Sequence, residues 1–328
     1  MSKNHGSRDS RNFGFGRKLH YAIKNCLRTH FADGHYATVQ AHSERCRLFC
    51  DWLLSSHQIA DARLINQEVF YAYAAHVRGL LENGDISVST ATNRISSVNV
   101  VMKILRGDTK VHISKIGKVL GEKRSHIRSV APHGMIFEHL NPLIDDLIKT
   151  DFPRVAAIIL LARVTGMRLR EAILADLPRL AREASKFGEI NIQDGCKGGR
   201  GGAFAPRWVP ATDIVLSVIE FARSVSPPGS RNLLSPTESY VDFLRGTVNP
   251  SRNTLKAHGI PRFHDLRAAY ACSRYKDLAG VQAPVCVSDD ESPVLSKSSN
   301  REARQKISRE LGHERLDVTN AYLGKHSS

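Results

Sequence analysis

Residues 310–324 read ELGHERLDVTNAYLG, and this stretch decides how the chain is interpreted. It predicts the start of one helix followed by a second short helix. A glycine precedes His313, and Tyr322 stands nine residues further on. A single histidine and a single tyrosine are more often packing residues than catalytic ones, so a catalytic interpretation needs partners elsewhere in the chain.

Such partners lie closer to the N-terminus. They occur in three short sequences, TGMRLRE (165–171), DGCKGGR (194–200) and HDLRAAYA (264–271). Arg168 follows a tight turn, and Lys197 lies at the tip of a predicted hairpin. His264 and Arg267 are three residues apart, which places them on the same face of one helical turn. The order along the chain is Arg, Lys, His-x-x-Arg, His, Tyr.

The composition favours a DNA-binding protein of two domains. The chain has 328 residues, a formal net charge of +15 and 41% hydrophobic residues, enough for a substantial core. A basic surplus of this size indicates a polyanionic partner, with nucleic acid as the first candidate and a merely soluble basic protein as the alternative. The six cysteines form no CxxC pair and the histidines show no metal-ligand spacing, so we predict no metal site and no cofactor.

We predict a mainly α fold with a small β-hairpin (α+β), in two domains after a basic N-terminal arm. The arm is assigned to residues 1–20, a helical domain to 21–130 and a second domain to 131–328. Apolar residues at spacings of three and four predict helices over 36–57, from Asn66 to the Asn83–Gly84 stop, and from Thr90 onward. EINI (189–192) and RWVPA (207–211) suit two strands, and 283–299 is predicted to be an inserted loop.

The segment 103–128 carries eight basic residues against two acidic ones. An exposed lysine-rich helix is one interpretation, and a surface that follows DNA phosphates is the other. We predict DNA contacts from this segment and from the hairpin. The predicted DNA-binding residues are Lys103, Arg106, Lys110, Lys115, Lys118, Lys123, Arg124, Arg128, Arg200 and Arg207.

Together these sequences resemble the tyrosine recombinases, the phage-integrase family. TGMRLREA resembles the TGLRxxE box of that family, HDLR its HxLR box, and LGHERLDVTNAY its LGHxxxxxTxxY box. Each box alone is a weak signal, but three in the family's order, with a basic hairpin between the first two, form a strong one. The helical domain, 21–130, resembles the family's core-binding domain, and the second domain, 131–328, resembles its catalytic domain. The resemblance thus covers nearly the whole chain except the arm and the loop over 283–299.

The resemblance implies Arg168, Lys197, His264, Arg267, His313 and Tyr322 as the catalytic set. Tyr322 is the implied nucleophile, and the two arginines clamp the phosphate, since a guanidinium can bond two oxygens at once. His264 is a candidate acceptor for the phenol proton. Because both arginines are expected to line a DNA groove, we expect neither to contribute much to folding.

Lys197 is the implied proton donor to the leaving 5′ oxygen. Lys186 competes for that assignment, and Arg200 and Arg207 compete for general phosphate contacts. Glu171, three residues after Arg168, matches the acidic position of its box and is expected to orient its neighbours.

The predicted function is a site-specific DNA recombinase or integrase of a phage or integrative mobile element, acting through a 3′-phosphotyrosyl intermediate without metal or ATP. The alternatives are an inactive DNA-binding regulator of the same fold and a type IB-like topoisomerase. The resemblance further implies double-stranded DNA as the partner and a tetramer on paired recombination sites, with DNA-bending or directionality proteins as possible accessories. We expect a bacterial or phage-derived protein in the cytoplasm, associated with the nucleoid and not with a membrane.

Overall fold

The computed structural model describes residues 9–196, 206–287, 295–313 and 315–325. It divides into two compact units, Met1–Ser125 and His126–Ser328, and each has its own hydrophobic core. The helices and one antiparallel hairpin confirm the mainly α class that the sequence predicts.

The first unit is a helical bundle. Its helices are α1 (Leu19–Phe31), α2 (Tyr36–His57), α3 (Gln67–Glu82), α4 (Val88–Arg106) and α5 (Ile116–Leu120). The Asn66 side chain accepts a hydrogen bond from the backbone N–H of Val69 and caps α3, as predicted. Helix α4 begins slightly earlier than predicted, because the Ser87 hydroxyl caps it instead of Thr90.

Part of the predicted N-terminal arm is packed. Residues 1–8 lie outside the described residues, but Arg11–Gly14 form a 3-10 helix, and Phe13 is only 8% exposed. The buried Asn12 accepts a hydrogen bond from the backbone N–H of Ala62, and its own N–H donates to Asp61. The prediction of a flexible arm over 1–20 is therefore wrong from residue 9 onward, because these contacts fix the chain onto a segment fifty residues away.

The second unit is also helical and is built around one buried helix. Its helices are α6 (Asn141–Lys149), α7 (Pro153–Thr165), α8 (Leu169–Leu174), α9 (Leu177–Phe187), α10 (Asp213–Ser224), α11 (Tyr240–Phe243), α12 (Asn249–Ala257), α13 (Phe263–Ala279), α14 (Lys297–Glu310) and α15 (Asn320–Leu323). Helix α7 is buried over nearly its whole length and packs against α10 and α13. Its apolar residues on every side explain that position, since a helix of this kind needs cover all around.

The predicted hairpin is present. Strand β1 (Glu189–Asn191) pairs antiparallel with β2 (Trp208–Pro210), and Ile190 lies opposite Val209. The glycine-rich turn between them, residues 197–205, lies outside the described residues. Helix α14 already begins at Lys297, so the predicted loop over 283–299 extends too far at its C-terminal end, and its centre, 288–294, also lies outside the description.

Within the described ranges, no helix is long and apolar enough to cross a membrane. Over the same ranges, no cluster of three or more histidine, cysteine, aspartate or glutamate side chains could hold a metal ion. All six cysteines are free thiols.

Candidate active site

The turn after α7 begins the site. Gly166 ends that helix with φ +67°, and a Cβ at this position would lie 2.6 Å from a Tyr270 ring carbon, so only glycine fits. The Gly166 carbonyl accepts hydrogen bonds from Arg207 Nη2, at 3.0 Å, and from Arg267 Nη1. One backbone carbonyl thus holds two guanidinium groups together.

Arg168 stands at the start of α8, and the buried Glu171 fixes it there. Glu171 Oε1 accepts from Arg168 Nη1 at 2.6 Å, and Oε2 accepts from the Arg168 backbone N–H at 2.7 Å. Burial alone would raise the pKa of Glu171, but the charges of Arg207, Arg168 and Arg267 outweigh it and lower the pKa to about 2. Glu171 therefore stays ionised and orients Arg168, whose side chain remains 30% exposed.

Arg267, on the first turns of α13, is fully buried. Its Nη2 donates to the Leu311 carbonyl, its Nη1 to the Gly166 carbonyl, and its Nε lies 3.3 Å from Tyr322 Oη. Burial, and next the charge of Arg207, lower the pKa of Arg267 to about 10, so it is still positive at neutral pH. The expectation that this arginine contributes little to folding is wrong, because it satisfies two buried backbone carbonyls.

Arg207 is also a buried residue and not the exposed DNA contact that the sequence suggests. It is 3% exposed, and its Nη1 lies 2.7 Å from Glu171 Oε2. Its Nε donates to the Glu310 carbonyl at 2.6 Å. These groups have no access to a DNA surface. Arg207 instead joins the hairpin to the turn at Gly166 and to the end of α14. We call Glu171, Arg207 and Arg267 the buried layer of the site.

The phenol of Tyr322 lies between an arginine and a histidine. Tyr322 Oη is 3.3 Å from Arg267 Nε and 3.3 Å from His313 Nε2, and the residue is 4% exposed. Arg168 Nη2 also lies 3.3 Å from His313 Nε2. Since a guanidinium only donates, His313 Nε2 is assigned as an acceptor here, with the proton on Nδ1. The phenol then receives a hydrogen bond from Arg267 and donates one to His313.

The surroundings keep His313 neutral. Partial burial lowers its pKa most, and the positive charges of Arg267, Arg168 and Arg207 lower it further, to about 4.

His264 differs in position. Its ring centroid lies 5.4 Å from that of Tyr322, and the described residues show no hydrogen bond between the two. Partial burial, followed by the charge of Arg267, lowers the pKa of His264 as well. The histidine with a hydrogen bond to the phenol is therefore His313 and not the predicted His264.

A buried arginine holds the segment that carries Tyr322. Arg304, on α14, donates to Thr319 Oγ1 at 3.2 Å and to Asn320 Oδ1 at 3.0 Å before the tyrosine. It also donates to the Gly324 carbonyl at 2.9 Å after it. The backbone N–H of Arg128 donates to the Asn320 carbonyl at 2.9 Å. Both ends of the short helix α15 are thus fixed within the second unit of the same chain.

Solved structures of other proteins share this architecture. The chain is similar to the Tn1549 transposon integrase in complex with circular intermediate DNA, with a TM-score of 0.59 at 12% identity over 93% of this chain and 96% of that one. It is also similar to lambda integrase, a tetramer bound to a Holliday junction, with a TM-score of 0.55 at 14% identity over 95% of this chain and 80% of that one. Both are tyrosine recombinases. The chain has the tyrosine-recombinase fold.

The sequence matches no protein-family model, and no curated protein sequence is similar to it at a significant level. At 12% and 14% identity, the similarity to the two integrases lies in the three-dimensional arrangement.

Within the recombinase fold, the structure brings four of the predicted catalytic residues into direct contact: Arg168, Arg267, His313 and Tyr322. His264 borders the same site from the outside. Lys197, and with it Arg200, lies outside the described residues. The competing Lys186 lies near the end of α9, with its ammonium 5.2 Å from the centroid of the Phe187 ring.

The predicted DNA-contact segment has mixed surroundings. Five of its lysines are exposed: Lys103, Lys110, Lys115, Lys118 and Lys123. Arg124 is partly exposed. Arg106 is paired with Asp108 at 3.2 Å, and Arg128 with Asp265 at 2.7 Å, so these two arginines already have protein partners.

Two groups of basic residues escaped the sequence analysis. In the first unit, a cavity of about 660 Å³ between α1, α2 and α4 is lined by Lys24, Arg45, Arg47 and Arg94. In the second unit, Arg252 and Arg262 line a cavity beside Arg168. Neither group forms a run of basic residues along the sequence. Only Arg262 could have been suspected from the sequence, because it stands two residues before the HDLR box.

Proposed function

We propose that this chain cleaves and rejoins DNA strands at specific sites through a covalent bond between Tyr322 and a 3′ phosphate. The observation that carries the proposal is the position of the phenol, hydrogen-bonded to both Arg267 and His313, with Arg168 on the other side of the histidine. A packing tyrosine has no need of two basic partners. The fold it shares with DNA-bound integrases supports the same reaction class.

In the first step, Tyr322 Oη attacks the phosphorus and its proton passes to His313 Nε2. The lowered pKa of His313 keeps that nitrogen unprotonated at neutral pH, which an acceptor requires. Negative charge from the incoming phosphate raises the basicity of the ring at the moment of transfer. We therefore assign to His313 the role that the sequence analysis gave to His264, and to His264 a hydrogen bond to the phosphate.

The arginines stabilise the charge that develops on the non-bridging oxygens. Arg168 approaches from the exposed side, because Glu171 engages its Nη1 and leaves Nε for the phosphate. Arg267 is fully buried and does not move toward the DNA; it acts through its positive charge at the cavity and through Nε, which lies beside the attacking oxygen. Preorganised donors at developing charge are commonly the largest single contribution to such reactions, since they do not have to reorient during the step.

The leaving 5′ oxygen takes a proton, which we assign to Lys197 on the hairpin turn by resemblance. The product is a 3′-phosphotyrosyl bond that preserves the energy of the phosphodiester. A second 5′ hydroxyl then attacks the phosphorus and gives its proton to Lys197. Tyr322 leaves and takes back the proton from His313, and the strand is rejoined. This sequence consumes neither ATP nor water.

Binding of DNA by the first unit is part of the proposal. The cavity lined by Lys24, Arg45, Arg47 and Arg94, with Glu44 as the acidic residue of its lining, is a mainly basic surface on folded helices. The exposed lysines of 103–128 supply further positive charge for phosphate contacts. We propose a phage or integrative mobile element as the source and a tetramer on paired sites as the active assembly. Both follow the character of the proteins that share the fold.

The test is a trapped adduct on nicked suicide duplexes, tiled across the DNA that adjoins the coding region. The parent protein should give a protein–DNA band that survives denaturant, and Tyr322→Phe should give none while it still binds DNA. Tyr73→Phe is a suitable control, since it removes a buried hydroxyl that has no hydrogen-bond partner among the described residues. No adduct from the parent would favour the inactive regulator, and an adduct from Tyr322→Phe would exclude this nucleophile.

A further inference from the structure

A cavity of about 320 Å³ opens onto the candidate active site. Five basic residues line it: Arg168, Arg252, Arg262, His264 and Arg267. The mechanism above uses Arg168, His264 and Arg267 on one phosphate. Arg252 and Arg262 have no role in it, although they face the same space. Four of these residues are at least partly exposed, and we call them the cavity wall: Arg168, Arg252, Arg262 and His264.

The two additional arginines keep most of their donors free. Arg252, on α12, donates through Nε to Asn249 at 3.1 Å, and its guanidinium lies 5.6 Å from the centroid of the Phe263 ring. That contact holds the group over a buried aromatic side chain, while its four Nη hydrogens have no partner in the described parts of the chain. Arg262, immediately before α13, is exposed and makes no side-chain hydrogen bond or ion pair with any described residue.

The positive charge of the cavity is not balanced from within. No carboxylate belongs to its lining. The acids that follow His264 and Arg168 along the chain are already engaged, Asp265 with Arg128 at 2.7 Å and Glu171 with Arg168 and Arg207. Two arginines suffice to balance one phosphate whose charge approaches −2 during the reaction. The surplus on Arg252 and Arg262 therefore indicates a second anion next to the first.

We propose that Arg262 and Arg252 bind the phosphate adjoining the scissile one on the same DNA strand. The proposal rests on the proposed function, and it adds a binding subsite to it. Successive phosphates on one strand advance only about 3.4 Å along the helix axis, so a wall that borders the scissile phosphate also meets its neighbour. Contacts of this kind fix the register of DNA on a protein, and here they set which phosphate lies over Tyr322.

The experiment measures DNA binding in the Tyr322→Phe background, so that cleavage does not interfere. The probes are the tiled nicked duplexes with one phosphate at a time replaced by a neutral methylphosphonate. Arg262→Gln should weaken binding about tenfold and lower the log–log salt slope by about 0.9. Arg252→Gln should act in the same direction. Lys256→Gln is the matched control, because it removes an exposed charge from the same helix as Arg252 but outside the cavity.

The decisive result is coupling between protein and DNA, which means that the effect of Arg262→Gln depends on the charge of one particular DNA phosphate. On the duplex whose adjoining phosphate is neutral, Arg262→Gln should bind as tightly as the unchanged background protein. If no single methylphosphonate removes the difference, or if Lys256→Gln gives the same loss, the subsite does not exist. Because this readout needs no cleavage, coupling without any Tyr322 adduct from the parent would refute the proposed reaction and keep the subsite. An adduct from the parent without coupling would keep the proposed reaction and refute the subsite.

Discussion

The buried layer and the cavity wall contain the same kind of residue in opposite circumstances. Arg207 and Arg267 are at most 3% exposed, and each donates to backbone carbonyls of distant segments. Arg252 and Arg262 are at least partly exposed and keep free donors. The difference teaches that an arginine in such a site has two separable tasks. The arginines of the buried layer hold the boxes together, with Arg267 also beside the attacking oxygen, and those of the cavity wall remain available to phosphate.

The largest effect is expected at Arg207. Arg207→Met removes one partner of a buried ion pair with Glu171 and leaves the Glu310 carbonyl unsatisfied, at a cost of about 3–5 kcal/mol in the free energy of unfolding. Thermal melts of the parent and the variant measure this directly. At a temperature where both are folded, the salt dependence of DNA binding should be unchanged. A slope lowered by about one, with an unaltered melt, would make Arg207 a DNA contact after all.

Arg267→Lys and Arg168→Lys should separate catalysis from stability. Both should slow single-turnover cleavage about 10²- to 10³-fold, since lysine lacks the planar pair of donors. Only Arg267→Lys should also melt lower, by about 2–12 °C, because one ammonium cannot serve the carbonyls of Gly166 and Leu311 and the phenol together. Equal melting temperatures for the two variants would contradict the distinction between buried layer and cavity wall.

Arg304→Lys tests the clamp on the tyrosine segment. Lysine cannot reach Thr319 and Gly324 together, so the phenol should lose its alignment. We expect cleavage on pre-bound DNA to slow about 10- to 100-fold, as a displacement of about 1 Å can cause. Arg274→Lys is the comparison, because Arg274 pairs with Glu310 and does not contact the segment. DNA affinity should stay the same in both, and a purely structural role would lower stability without this selective loss of rate.

The smallest effect concerns pH. His313 has a folded-state pKa of about 4 against an unfolded value near 6.5, so the unfolded chain binds more protons between these values. Its contribution to stability is thus complete above about pH 6.5 and is lost as the pH falls toward 4. From pH 7.5 to 5, the parent should lose about 1 kcal/mol more than His313→Asn, after allowance for solvent screening. Glu171, with a pKa of about 2, stays ionised throughout that window. An equal loss of unfolding free energy in both proteins would contradict the lowered pKa of His313.

The boxes themselves were predictable, because their residues follow each other at spacings that helices and turns impose. Gly166, Arg168 and Glu171 belong to one turn, and Asn66 caps a helix through a local hydrogen bond. The distribution of arginines between the buried layer and the cavity wall was not predictable. Arg207 is buried through a carboxylate and a carbonyl 36 and 103 residues away, and no local pattern records such partners.

The same limit applies to the histidines and to the N-terminus. The sequence made His264 a candidate acceptor for the phenol proton, but the placement of α15 gives the hydrogen bond with the phenol to His313. The glycines and charges near Phe13 suggested a flexible arm, yet a pair of hydrogen bonds between Asn12 and the chain around Asp61 fixes it. In both cases a contact between remote segments decided the outcome.

The clamp from Arg304 has a genetic consequence. The clamp holds Tyr322 beside Arg168, Arg267 and His313 of the same chain, so one polypeptide supplies all four groups of a site. A cell with two damaged alleles, one encoding Tyr322→Phe and the other Arg168→Lys, would contain no product with an intact set. Such alleles should fail to complement each other, however freely their products mix.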